Sequence, residues 1–327
     1  MKNANTKSRV SSVSKSRASS VSKLRARLLK SWAAVSVLAA SLLFIGLLTG
    51  CPHNQPSAVD QPPAKPVDPA AILKTNGYGK ITGYKCAKEE LPSHLVIPAK
   101  IGDEEIKEIG WWAFHDCKGL TSISLPASIT KIGGDAFSGC TGITSISLPV
   151  NLTQIDYSAF SGCTGLTSVH LPASITKIGS GAFEGCTGLT SLTIDPANTK
   201  YKTEGNILYS KDGTTLIFAA GGLTSANIPN TVTTIDTRAF SGCTGLTNVH
   251  LPASITRIYG SAFEGCTGLT SAVFEDTNGW KVYNGISYID ILKSIDSIYL
   301  ENAATAAKYL REKTDKGGYC DKYWKKR

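Results

Sequence analysis

The sequence predicts a β-rich solenoid, a stack of short coils sharing one core. Two observations predict it. A 23-residue unit recurs from Leu120 as LTSISLPASITKIGGDAFSGCTG, ITSISLPVNLTQIDYSAFSGCTG and LTSVHLPASITKIGSGAFEGCTG. It returns after an irregular stretch as LTSANIPNTVTTIDTRAFSGCTG and LTNVHLPASITRIYGSAFEGCTG, and a degenerate copy starts at Leu95. Within each unit the apolar residues keep their offsets, so Phe137, Phe160, Phe183, Phe240 and Phe263 hold one position. A fixed period of this length marks coils that cannot bury their apolar face alone and must stack.

The elements follow in chain order. Residues 1–50 hold nine Lys/Arg and no Asp or Glu. The uncharged run 32–48 is short for a membrane span, so 1–50 reads as a signal peptide. Leu48-Thr49-Gly50-Cys51 resembles the bacterial lipobox, which implies diacylglycerol on the Cys51 sulfur and a membrane anchor. Residues 51–70 contain six of fourteen prolines and read as an extended linker. Residues 71–94 are expected to cap the array, and 95–268 to form the repeats.

In each unit Leu120, Ile123 and Leu125 (or their equivalents) point inward from a short strand, and stacked strands make one parallel sheet face. Pro126 ends the strand. Ile129 and Ile132 begin the return, Gly133-Gly134 permit a tight bend, and Ala136, Phe137 and Cys140 cover the other side of the core. Residues 189–222 form an expanded, irregular repeat. There Asp212-Gly213 between two apolar runs predicts a projecting β-hairpin. Residues 269–327 are a degenerate last repeat and C-terminal cap. Asn302 is placed to N-cap a short helix over 303–313, with Tyr319, Cys320, Tyr323 and Trp324 closing the core.

Composition excludes some functions. The net charge of +9 resides in the first fifty residues, leaving 25 bases against 25 acids in the rest. The basic footprint of a nucleic-acid binder is therefore missing. Cys117, Cys140, Cys163, Cys186, Cys243 and Cys266 share one repeat position, about 4.8 Å apart between neighbouring coils, and read as a buried structural ladder. No zinc spacing, calcium loop, phosphate-cradling loop or hydrolase motif is present, so no cofactor, metal or catalytic residue is assigned. Cys86 and Cys320 lie at opposite ends, about 35–40 Å apart by strand spacing, too far to pair within one chain.

The candidate binding surface is the outward face of the strands. One column holds Ser122, Ser145, Ser168, Ser191, Ser225 and Asn248. A second holds His170, Thr193, Asn227 and His250. Tyr209 on the hairpin joins them, and Trp111, Trp112 and Trp280 are the other aromatics expected at the surface.

The recurring Leu-Pro, Ile-Gly, Ala-Phe and Cys steps resemble the BspA-like, treponemal-type leucine-rich repeats of bacterial surface proteins, over about residues 80–275. The resemblance implies a leucine-rich-repeat array. It also implies protein partners: host matrix proteins such as fibronectin and fibrinogen, or other bacterial surface proteins. With the anchor, it places the chain in the cell envelope, at the surface. A periplasmic scaffold is the second reading, and a hydrolase using the C-terminal segment a distant third.

Overall fold

A computed structural model describes residues 68–326 of the chain. The expected signal peptide (1–50), Cys51 and most of the expected linker (51–70) lie outside them. The first described element, the helical turn Pro69–Ile72, begins before the expected cap boundary, and there the Asp68 carboxylate accepts from the Ala70 amide.

The coil is a three-sided cross-section. Its front side is a parallel strand, as in Ser122–Ser124, Ser145–Ser147 and Ser168–Leu171. Its back side is a two-residue strand, as in Lys131–Ile132 and Gln154–Ile155. The third side is a stack of turns carrying Ala-Phe and Cys. Register places Ser122, Ser145 and Ser168 side by side in front, and Lys131, Gln154 and Lys177 side by side behind.

Phe114, Phe137, Phe160 and Phe183 stack nearly parallel, with ring centroids 5.2–5.4 Å apart. Recurring hydroxyls satisfy the exposed carbonyls of the preceding coil: Thr153 donates to Thr130 O at 3.0 Å and Thr176 to Thr153 O at 3.2 Å. The repeated Thr and Ser are thus structural as well as polar, because backbone carbonyls at a coil edge need partners.

The Gly133-Gly134 step is explained differently from its expected role. Neither residue has a positive φ. A Cβ on Gly133 would meet Trp111 Cδ1 and the backbone of residues 110 and 111 within 3 Å, and one on Gly134 would meet the Tyr157 ring at 2.8 Å. These glycines provide clearance rather than bend.

The expanded repeat divides the molecule. Strands Tyr201–Glu204, Ile207–Ser210 and Thr215–Ala219 form an antiparallel meander, and Thr215–Ala219 then pairs in parallel with Thr234–Ile235. The expected hairpin exists but is built into the stack instead of projecting. Side chains on a strand alternate faces. Leu208 and Phe218 enter the core on the N-terminal side, while Ile207, Tyr209, Leu216 and Ala219 enter the core on the C-terminal side. Phe218 stacks on Phe183 at 5.1 Å and continues the phenylalanine column.

Two asparagines stitch this wall in place. The buried Asn198 amide donates to Ala173 O at 3.0 Å and Ile175 O at 2.8 Å, and its carbonyl accepts from the amides of Lys200 and Tyr201. Asn206 Oδ1 accepts from Leu192 N, a donor that a next front strand would otherwise engage. The front sheet consequently comes in a five-stranded and a three-stranded piece.

The C-terminal end is closed by aromatics. The helix Ala303–Arg311 is N-capped by Asn302, whose Oδ1 accepts from Thr305 N, and it follows a shorter helix Ser297–Glu301. The tail forms the strand Tyr323–Lys326, antiparallel between Arg257–Ile258 and Trp280–Tyr283. Trp280 and Trp324 are buried with Phe274, and their indole N–H groups donate to Asp276 O and Tyr319 O. Trp280 is therefore corrected from a surface aromatic to a core plug, since the open end of a stack exposes apolar surface that must be covered. Cys320 is buried in this cap and Cys86 sits at the other end, and both are free thiols.

Candidate functional site

From Cys140 to Cys266 the cysteine ladder is packing material, while a side-chain hydrogen bond with Cys140 lowers Cys117 at its N-terminal end. All six thiols are free and buried. Four of them donate to the phenylalanine carbonyl of the preceding coil at 3.0–3.1 Å: Cys140 to Phe114, Cys163 to Phe137, Cys186 to Phe160 and Cys266 to Phe240. Burial pushes Cys163 and Cys243 up to about 12 and raises Cys186 and Cys266 further, so these thiols stay protonated and unreactive. Among the described residues no three His, Cys, Asp or Glu side chains gather to hold a metal ion.

The front columns assemble as expected but as a chain of local pairs. His170 Nδ1 lies 3.0 Å from Thr193 Oγ1, and His250 Nε2 lies 3.3 Å from Glu275 Oε1. His94 falls in register with Ser122 and hydrogen-bonds to it. Ser145, Ser168, Ser191, Ser225, Asn227 and Asn248 are exposed. The two histidines sit on separate pieces of the front sheet. The side chains of this face are polar and mostly exposed.

Tyr209 does not belong to it. Only 2% of its surface is exposed, and burial pushes its phenol up to about 12. Its strand is covered on both faces by the two cores, which alternation in the sequence could not reveal.

Three exposed aromatics, Trp111, Trp112 and Tyr157, cluster elsewhere, on the return side of the first coils. Trp111 and Trp112 are 50% and 57% exposed and meet edge to face at 6.0 Å. Trp111 also meets Tyr157 edge to face at 5.5 Å, across the intervening coil. The contact is possible because Gly134 occupies the same position in that coil and offers no side chain. Trp112 adopts φ 54°, a left-handed conformation that the equivalent Asp135, Ser158, Gly181, Arg238 and Ser261 share. A bulky residue is strained there. The coil imposes the conformation, and here it projects an indole outward.

Comparison with known proteins agrees with this architecture. The BspA type leucine-rich-repeat model matches in six copies, over residues 93–206 and 215–303. No curated protein matches in sequence. Among solved structures, the chain resembles the pneumococcal vaccine antigen PcpA at 23% identity and a TM-score of 0.49, over 59% of this chain and 54% of that one. It therefore spans about half the length of that antigen. A Treponema pallidum leucine-rich-repeat protein aligns at 27% identity and a TM-score of 0.40, over 64% of this chain and 83% of that one. A Faecalibacterium prausnitzii leucine-rich cell surface protein aligns at 24% identity and 0.38, over 63% and 74%. With six repeat copies spanning most of the ordered coils, the chain belongs to the BspA-type leucine-rich-repeat family.

Proposed function

We propose that the chain is an envelope-anchored interaction protein that binds a protein partner through Trp111, Trp112 and Tyr157. The observation that carries this reading is the exposure of two adjacent tryptophans, one of them held outward by a left-handed backbone. Tryptophan and tyrosine dominate the binding energy of protein interfaces, whereas isolated Ser and Thr contribute little. The lipobox-like Cys51 and the linker support display away from a membrane. The family resemblance supports host matrix proteins or other bacterial surface proteins as the partner class, and adhesion as the outcome.

The test is binding of the full chain to immobilised fibronectin and fibrinogen. Trp111→Ala with Trp112→Ala is expected to weaken binding at least tenfold, on the scale of ~2 kcal/mol per interface hot spot. His170→Ala with His250→Ala is expected to leave it within twofold. The reverse pattern would return the site to the front columns. Protease treatment of intact cells checks the display: protection of the chain would favour a periplasmic role.

A further inference from the structure

The back face carries a second surface, distinct from the aromatic cluster. In the N-terminal half, the column Lys80, Glu108, Lys131, Gln154 and Lys177 has its bases paired, with Asp156 two residues beyond Gln154 as the second acid. Lys80 pairs with Glu108 at 3.3 Å, Lys131 pairs with Glu108 at 3.6 Å and with Asp156 at 3.3 Å, and Lys177 reaches Asp156 at 4.0 Å. In the C-terminal half, the corresponding column runs from Thr215 and Thr234 into three consecutive bases. Arg257, Lys325 and Lys281 lie side by side on three adjacent strands, Arg257 opposite Lys325 and Lys325 opposite Lys281. Their neighbours Ile258, Trp324 and Val282 are buried, so the three bases face outward.

Among the described residues none of the three forms an ion pair, while Lys322 and Lys326 nearby pair with Asp321 and Asp276. Like charges at ~5 Å spacing across strands disfavour the fold. The row is thus electrostatically incomplete as it stands.

The loop beside the row exposes two isoleucines among polar residues, with Asp290 at its end. Residues 284–290 join Trp280–Tyr283 to the edge strand Ile291–Ser294, and Tyr288 lies over the row with its ring centroid 4.6 Å from Lys325 Nζ. Tyr288 has φ 53°, which fixes the loop's path. On either side of it Ile286 and Ile289 are 68% and 79% exposed, and Ile291 and Leu292 continue the exposed apolar surface along the edge strand.

We infer that the row Arg257, Lys281 and Lys325, together with Ile286 and Ile289, docks on an anionic lipid surface. Charge complementarity specifies the headgroups, at about 1 kcal/mol per surface base. Exposed isoleucines on a loop beside unpaired bases specify a bilayer instead of a soluble polyanion, because acyl chains give them an apolar environment. This docking would lay the C-terminal end of the array against a membrane. It does not depend on the proposed protein-binding site, which involves other residues.

The test compares the full chain on vesicles of phosphatidylcholine alone and with one-third phosphatidylglycerol. Binding is expected to be stronger on the anionic vesicles, with amide exchange slowed in 284–294. Arg257→Gln with Lys281→Gln is expected to weaken anionic binding about 30-fold, the factor that corresponds to two surface bases. Ile286→Ser with Ile289→Ser is expected to abolish the slowed exchange. Lys177→Gln, on the paired half, serves as control and is expected to change neither. Equal binding to both vesicles, or unchanged exchange in 284–294, overturns the inference. So does slowed exchange with a soluble sulfated polysaccharide and none on vesicles.

Discussion

The two halves of the array are built from the same unit and end up with different properties. The N-terminal half stacks its coils without interruption, and the bases on its back face are paired with Glu108 and Asp156. Against the downward pull of partial burial, Asp156 and Glu108 hold Lys131 above its ordinary pKa. The C-terminal half begins at the inserted wall and ends at an aromatic plug. Its column of equivalent positions carries three bases with no acid between them. The difference teaches that a repeat fixes the backbone and core while leaving each outward position free. Charge at those positions costs the fold little, since exposed ion pairs contribute at most about 1 kcal/mol each.

The comparison can be broken at the wall that separates the halves. Tyr209→Ala removes a fully buried aromatic from the face that seals the C-terminal core. A loss of about 3–5 kcal/mol is expected, on the scale of large-to-small core substitutions. Denaturant titration should then show the C-terminal half unfolding before the N-terminal half, because a stack is held together by neighbour contacts. A single unshifted transition would show that the hairpin is peripheral to both cores.

A smaller effect is expected where the wall is tied to the last regular coil. Asn198→Ala leaves buried carbonyls and amides without partners, at about 1–3 kcal/mol for each group left unsatisfied. Partial replacement by water brings the expected total to about 2–4 kcal/mol. Hydrogen exchange localises it: protection should fall at Lys200 and Tyr201, which donate to Asn198, and persist at Phe137 and Phe160.

The smallest effect separates the halves by pH. In the C-terminal cap, a hydrogen bond from Lys313 lowers Glu264, and one from Lys326 lowers Asp276. A carboxylate lowered in the folded state stabilises it above the unfolded pKa and loses that contribution as pH falls through the folded one. Acidification below about pH 4 should therefore loosen the C-terminal cap, read as lost hydrogen-exchange protection at the Cys320 amide, which donates to Glu312 O. Burial raises Asp236 instead, so its contribution runs the other way and fades as pH rises. Asp236→Asn is expected to raise the melting temperature slightly at neutral pH. Loss of amide protection at Cys163 or Cys186 before Cys320 would contradict the assigned order.

Much of this was legible in the sequence. The 23-residue period, the phenylalanine and cysteine columns, the helix cap at Asn302 and the closing role of Trp324 all follow from recurring offsets and local capping chemistry. Other features were not. His94 found Ser122 only through strand register. Gly133 and Gly134 read as bend residues because clearance for a side chain from another coil leaves no mark in local sequence. Tyr209 and Trp280 read as exposed because they sit in irregular segments.

The sequence by itself determined the coil and the family, because a repeated apolar spacing admits one way of stacking that buries every copy. Tertiary structure alone decided which irregular residues face solvent. The inserted meander folds between two cores, so both of its faces are buried and Tyr209 is lost as a contact. The aromatic contact over Gly134 and the basic row on the back face arise from residues far apart in the chain. They meet because the coil pitch is a fixed distance, and which side chains it brings together depends on the register of the stack.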